Sequence, residues 1–304
     1  MNRSLDRLAP AALAFMAMLW GSTFFVLKDL VTRMDVSDLL ALRFAIAALA
    51  LAAVMHRQLR RIDRRTLWRG AVLGGLYGAA QLLQTYGLVH TSASISGFLT
   101  GLYVVLTPIL EAVLLKARVS QRVWLAVGLA TAGLGVLTIA PGLGAGRFGL
   151  GEALTVLSAL AYAGHIVYTG RVSTQALALK LSTVQTAVVA LVCLVAALPG
   201  GIMLPQRAID WAAVAYLALL CGALAAFLQV WAQARVEPTR AAVIMSSEPI
   251  WAAAFAIMVG QESLGWRTLV GGAALVVAMV LASLPAPVRA SRRQVRRYQP
   301  ARSG

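Results

Sequence analysis

Ten mostly apolar stretches, each roughly 17–22 residues long and separated by short polar breaks, set the first constraint on this chain. About 20 helical residues rise about 30 Å, the thickness of a bilayer's hydrocarbon core. Backbone groups find no water there, so a run of this length is expected to cross as a helix. The predicted spans are 11–31, 37–55, 70–89, 95–115, 123–140, 150–170, 181–198, 211–232, 241–259 and 268–284. Composition agrees: 60% of residues are hydrophobic and 12% charged, with a mean hydropathy of +0.79. The expected fold class is an all-α membrane protein.

The first run follows Arg3 and Arg7, as in a signal peptide, but its apolar character continues through Phe24, Phe25 and Val26 with no small-residue cleavage site. It is read as a retained helix. The two cysteines, Cys193 and Cys221, both fall inside spans. They are too few for a disulfide framework or a four-ligand metal site, so no metal and no cofactor is expected.

A net charge of +16 raises the question of nucleic acid, and its distribution argues against it. With ten spans, twenty-one Lys and Arg fall at the N terminus, in the even-numbered loops and in the C-terminal tail, against five on the other side. That is the bias of cytoplasmic loops, and it predicts both termini in the cytoplasm. Anionic lipid is the expected partner of the basic loops.

The chain also repeats itself. Setting Trp20 on Tyr162 brings Thr23 onto His165 and Arg43 onto Gln185 without a gap, and LQTY at 83–86 then matches LQVW at 228–231. Pro108 falls on Pro249 if helix four of the first half carries four extra residues, about one turn, and Gly128 falls on Gly271. The implied organisation is a first five-helix half at 1–140, a linker at 141–149, a second half at 150–284 and a basic tail at 285–304. Five is odd, so the second half must enter the membrane inverted. Inverted repeats are a device of secondary transporters, with substrate handled where the halves meet.

The motifs LWGSTFF at 19–25, ALRF at 41–44, TSAS at 91–94 followed by TPI at 107–109, and SSEP at 246–249 resemble the EamA-type family of the drug/metabolite transporter superfamily. The resemblance covers nearly the whole chain. It implies a carrier of the bacterial inner membrane that moves small metabolites, usually outward as efflux, around a central cavity. Substrates in such a family range over amino acids, sugars, nucleobase-like compounds and drugs. One departure is KARVS at 116–120 where the second half has GQESL at 260–264, so Glu262 has no acidic counterpart.

Several polar residues stand out inside apolar runs. Glu248, beside Pro249, either faces a cavity to bind a cation or proton, or sits protonated or hydrogen-bonded to Ser246, Ser247 or an arginine at a packed kink. Prolines remove a helical hydrogen bond, so Pro108 and Pro249 predict two kinked helices at corresponding depths. Arg43 is read as a structural ion pair, the alternatives being an anion site or a snorkelling side chain. His165 suits either proton relay or a buried hydrogen bond. Gln81, Gln84 and Gln229 either meet substrate or join helices. Trp20, Tyr86, Tyr103, Tyr162, Tyr168 and Trp231 either wall an apolar pocket, the reading favoured for Trp20, Tyr86 and Trp231, or pack ordinarily, and Glu111 is expected to pair with Lys116 or Arg118. Trp68, Trp124 and Trp266 sit at span ends as an aromatic belt would.

The stretch GAGRFG at 144–149 fits a dinucleotide fingerprint, but no strand precedes it, so it is read as linker. No P-loop, HExxH or GxSxG is present. The alternative to a transporter is an intramembrane or lipid-modifying enzyme using Glu248 and His165 as an acid/base pair. Its loops would be expected to carry more polar residues than the arginines found here.

Overall fold

The computed structural model describes residues 3–57, 62–90, 96, 99–138, 149–258 and 265–284. Residues 141–148 of the expected linker and the expected tail at 285–304 lie outside the described residues.

Every regular element among the described residues is helical: α1 (Arg3–Leu30), α2 (Val36–Val54), α3 (Arg64–His90), α4 (Tyr103–Leu115), α5 (Gln121–Thr138), α6 (Leu150–Val172), α7 (Ala178–Ala197), α8 (Ala208–Gln233), α9 (Pro238–Met245), α10 (Glu248–Met258) and α11 (Trp266–Ser283). Short polar signals set several starts. Asp35 precedes α2 and accepts the Ser37 N–H at 2.8 Å, and Glu152 of α6 accepts the Gly149 N–H at 2.9 Å.

Four helices are long and apolar enough to cross a membrane by length and composition: Val36–Val54, Leu150–Val172, Ala178–Gly200 and Ala208–Gln233. Shorter apolar helices run over Leu8–Thr23, Leu99–Leu115 and Leu269–Ala282. Three of the ten expected spans, the third, fifth and ninth, fall in neither group, the third and ninth for local reasons. The ninth is two helices, α9 and α10, separated by Ser246 and Ser247. The third, α3, begins six residues early with Arg64 and Arg65 and includes Arg69, Gln81 and Gln84, which lower its hydropathy. In α4 the chain stays helical through Pro108, so the proline does not interrupt that helix.

The distribution of polarity is turned inside out relative to a water-soluble bundle. Leu49, Val54, Leu125, Leu191, Val195 and Val280 are exposed, whereas Thr155, Ser158, Ser182, Gln185 and Gln233 are buried. The exposed apolar shell suits lipid, and the buried hydroxyls and amides hold helices together. Ser158 donates to the Ala80 carbonyl at 2.9 Å and Gln233 to the Ile166 carbonyl at 3.0 Å. Small residues allow the closest approaches. A Cβ at Gly70 would sit 2.5 Å from Val184 Cγ1, and one at Gly74 would sit 2.5 Å from the Gln185 carbonyl oxygen. These two glycines let α3 lie directly on α7.

The helix pairings come in exchanged sets. α3 packs on α6 and α1 on α8; α4 packs on α6 and α1 on α10; α3 packs on α7 and α2 on α8. α2 packs on α7, and α5 on α11. Outside the helices, Arg33 of the α1–α2 connection joins Asp29 at 2.5 Å and Asp210, at the start of α8, at 2.7 Å. These carboxylates, Asp29 first, hold the guanidinium pKa above the usual arginine value.

Candidate functional site

A cavity of about 400 Å³ opens between the helices, and its wall reads off the sequence as helical stripes. α1 contributes Trp20, Thr23 and Leu27, with Val31 just past its end; α2 contributes Val36, Leu39, Leu40 and Arg43; α3 contributes Tyr77, Gln81, Gln84, Thr85 and Leu88. Spacings of three, four and seven keep each set on one helix face. Ser96, Thr100 and Tyr103 continue the pattern, and Tyr162, Ile166, Gln229, Met245 and Glu248 complete the wall from the second half of the chain. The lining lies in the later parts of α1 and α3 and the early part of α2. The cleft therefore rises from mid-bundle toward the end that carries the α1–α2 connection.

Aromatic rings form one side. Trp20 stacks on Tyr77 with centroids 6.3 Å apart and planes 18° from parallel, Tyr77 meets Tyr162 at 5.9 Å, and Tyr162 meets Tyr103 at 6.5 Å. Trp20 is held by its indole N–H, which donates to the Cys221 carbonyl at 3.0 Å. That carbonyl belongs to a π-helical turn of α8 at Leu219–Leu224, a wider turn that redirects backbone groups. Amides form a second side. Gln84 accepts from the Tyr162 hydroxyl at 2.9 Å and donates to Thr100 at 3.2 Å, while Gln81 donates to the Tyr77 hydroxyl at 3.2 Å.

Two ionisable side chains face this space, Arg43 and Glu248. The ion pair expected for Arg43 is not formed among the described residues. Arg43 is only 3% exposed, its Nε has no hydrogen-bond partner, and its guanidinium carbon lies 4.6 Å from the Phe44 ring centroid. Three acids have other partners: Asp29 and Asp210 pair with Arg33, and Asp38 accepts the Met203 N–H at 3.1 Å. Glu248 opens α10, and its carboxylate accepts no hydrogen bond from the described residues. The serines beside it are spent on backbone: Ser246 donates to the Val243 carbonyl at 2.7 Å and Ser247 to the Ile244 carbonyl at 2.8 Å.

Of the candidates from sequence, Trp20, Gln81, Gln84, Tyr103, Gln229 and Glu248 line the cavity, and Tyr86, His165, Trp231 and Ser246 do not. The reason is angular. Tyr86 lies two residues after Gln84 and Trp231 two after Gln229, about 200° around each helix. Tyr86 instead bonds Ser37 at 2.7 Å, and Trp231 lies under the Arg235 guanidinium at 4.1 Å. His165 is 1% exposed, with Nε2 3.0 Å from the Gln185 amide oxygen. Pro108 is buried within α4, and Pro249 is the second residue of α10. Sequence reasoning passed over Tyr77, although it stands four and seven residues before Gln81 and Gln84 on the same stripe.

Away from the opening, the bundle is closed. Glu111 of α4 accepts both the Thr239 N–H at 3.1 Å and the Thr239 hydroxyl at 2.6 Å, where it caps α9. The expected pairing with Lys116 or Arg118 gives way to this cap. α4 ends at Leu115, and Lys116 turns left-handed at φ 51°, carrying those cations past the helix end. Beside the cap, a Cβ at Gly170 would stand 2.6 Å from Pro238 Cγ, so α6 and α9 touch.

The EamA-like transporter family matches residues 8–139 and 149–284. A protein of Archaeoglobus fulgidus described as an uncharacterized transporter is 28% identical over 280 residues, which cover 91% of this chain and 86% of that protein. A solved structure, titled only as a crystal structure of protein, superposes with a TM-score of 0.72 at 19% identity over 89% of this chain and 94% of its own. That last likeness is one of fold.

Proposed function

The chain belongs to the EamA-like transporter family, and from that premise we propose that it is a secondary exporter of small metabolites in the bacterial inner membrane. As a member it is a multi-pass membrane transporter; direction, membrane and mechanism are the proposal. It works by alternating access between two inverted five-helix halves, 1–140 and 150–284, with both termini in the cytoplasm.

The observation that carries this reading is the cavity, which has walls from both halves and is closed at one end by a bond between them. Sixteen of the twenty-one lining residues belong to the first half, the rest to α6, α8, α9 and α10. Exchanged helix pairings are what a two-fold relation between halves would generate, which supports the inverted repeat. With the basic loops in the cytoplasm, the cleft faces outward and the Glu111–Thr239 bond closes the inner side. Moving the halves about the cavity then exposes the same residues to the cytoplasm. The acid/base pair of the enzyme alternative is not assembled, since His165 bonds Gln185 and does not line the cavity.

Counterflow in proteoliposomes tests the reading. Vesicles preloaded with unlabelled metabolites, drawn from a broad panel, are expected to accumulate at least one of them in labelled form from outside. No accumulation above protein-free vesicles for any compound would count against a secondary carrier.

A further inference from the structure

Behind the cavity runs a stripe of polar side chains that has no part in its wall. Ile166 of α6 and Gln229 of α8 do line the cavity. One turn farther along the same helices, toward the closed end, come Thr169 and Gln233, and Ser173 follows just past the end of α6. His165 lies behind Tyr77, with ring centroids 5.2 Å apart, and Gln185 lies beside it. His165, Thr169, Ser173, Gln185 and Gln233 are all buried. Their bonds are incomplete. His165 Nε2 meets Gln185 at 3.0 Å and the Thr169 hydroxyl at 3.5 Å, and Gln233 donates to the Ile166 carbonyl. His165 Nδ1, the Ser173 hydroxyl and the Gln233 amide oxygen have no hydrogen-bond partner among the described residues. A buried polar atom left so forfeits its bond to water and gains nothing in return. Residues that only join helices spend their polar atoms on the joint.

The sequence repeat gives these positions a meaning. In the register that sets Thr23 on His165 and Arg43 on Gln185, Leu27 falls on Thr169 and Val31 on Ser173; in the register of LQTY and LQVW, Leu88 falls on Gln233. Thr23, Leu27, Val31, Arg43 and Leu88 all line the open cavity. We propose that His165, Thr169, Ser173, Gln185 and Gln233 form the inner half of the transport pathway, closed in this structure and exposed to water when the outer cleft shuts. The proposal rests on the transporter reading with its inverted halves, and names the surface that the opposite state uncovers. Orphaned atoms and repeat counterparts of the open wall point to the same stripe independently. The closing contacts stand at its inner end, where Glu111 holds Thr239 and Gly170 meets Pro238. Ser173 lies one turn from Gly170 on the same face, so parting α6 from α9 opens the stripe from that end. The two mouths then differ in chemistry. Leu27, Val31 and Leu88 are apolar, whereas their inner counterparts offer hydroxyls and an amide. Cargo on its way out meets hydrogen-bonding groups that replace its water first, and the apolar mouth last.

Cysteine labelling of the full-length protein in oriented membrane vesicles tests this, with Cys193→Ala and Cys221→Ala as background and a membrane-impermeant maleimide as probe. Leu27→Cys reports the outer wall and Thr169→Cys its inner counterpart. Val167→Cys reports a buried site about 200° around α6 from Thr169. Ser173→Cys repeats the inner measurement with a near-isosteric change. Glu111→Ala releases the inner closure, and Thr239→Ala, a milder break, is run beside it. Either is expected to raise labelling of Thr169→Cys and Ser173→Cys from the cytoplasmic side at least about fivefold. Labelling of Leu27→Cys from outside is expected to fall, and Val167→Cys to stay unlabelled. Inner cysteines that remain unlabelled, label from the outer side, or label no faster than Val167→Cys would overturn the proposal. So would a gain at the inner cysteines while Leu27→Cys keeps its full labelling. Counterflow separates the two readings. Reciprocal labelling without counterflow of any compound sinks the carrier alone, whereas counterflow with silent inner cysteines sinks the inner pathway alone.

Discussion

α4 and the α9–α10 pair carry prolines at matching places of the sequence repeat, and only one of the two is interrupted. α4 passes through Pro108, with the Thr107 hydroxyl folded back on the Tyr103 carbonyl at 2.7 Å. Before Pro249 stand two serines and a glutamate. Their hydroxyls bond carbonyls three residues back, local bonds that compete with the helix ladder. Helix α9 stops at Met245, and the chain starts afresh at Glu248, with the carboxylate at the positive end of the new helix. A proline alone tolerates a continuous helix; polar neighbours turn it into a break. The break falls at the cavity, where freed polar groups and a carboxylate can be of use.

Exchanging the carboxylate between the two places is the strongest way to break the comparison. Thr107 is fully buried, so Thr107→Glu puts an uncompensated charge into packed helix and is expected to cost about 3 kcal/mol or more. Loss of monodisperse protein on size exclusion would register it. Glu248→Gln is expected to leave the melting temperature nearly unchanged, because no protein donor is lost, while counterflow falls at least about tenfold. A folded Thr107→Glu protein together with normal counterflow in Glu248→Gln would dissolve the distinction.

How far the sequence reaches is clear from the same residues. The helical class, the family motifs, and Trp20, Gln81, Gln84, Gln229 and Glu248 as cavity residues were legible, since hydropathy and helical spacing act locally. The break was half legible: Pro108 and Pro249 look alike, and only the hydrogen bonds of the residues before them differ. The partners of Asp38 and Asp210 were not legible, because both are found in contacts far apart in sequence. The same holds for Glu111, whose partner Thr239 lies 128 residues away.

Glu111 gives the next largest effect and tests whether α9 depends on the first half for its start. Its own N-cap residue, Glu237, supplies no side-chain capping bond and pairs instead with Arg240 at 3.4 Å. Glu111→Ala strands the Thr239 N–H and hydroxyl and is expected to cost about 2–3 kcal/mol, with Thr239→Ala costing less. A double-mutant cycle on thermal unfolding is expected to give a clear coupling between the two positions. Independent, additive losses would deny the cap.

The serines bring a smaller effect. Ser246→Ala with Ser247→Ala removes the hydroxyls that end α9 and is expected to shift stability by about 1 kcal/mol or less, while slowing counterflow several-fold. Thr107→Ala, the corresponding loss in α4, is expected to leave transport unchanged. Equal slowing by both would mean that the break at Ser246–Ser247 has no special part in transport.

The smallest effect lies outside the spans, at a helix start that shows what a local cap does without help from across the bundle. Asp63 precedes α3, accepts the Thr66 N–H at 3.1 Å and the Thr66 hydroxyl at 2.5 Å, and is exposed. The Thr66 hydroxyl first, then its N–H, holds the Asp63 carboxyl pKa below the usual aspartate value. A lowered folded-state pKa means the cap is fully present above the usual aspartate range and is lost as pH falls through the folded value. Asp63→Asn keeps an acceptor but cannot titrate, so its small deficit in melting temperature is expected at neutral pH and should vanish in acid. Glu111→Ala, by contrast, should remain destabilised in acid as well, because it removes the side chain rather than its charge. An Asp63→Asn deficit that persists unchanged at acid pH would show that the charge at Asp63 contributes nothing to the start of α3.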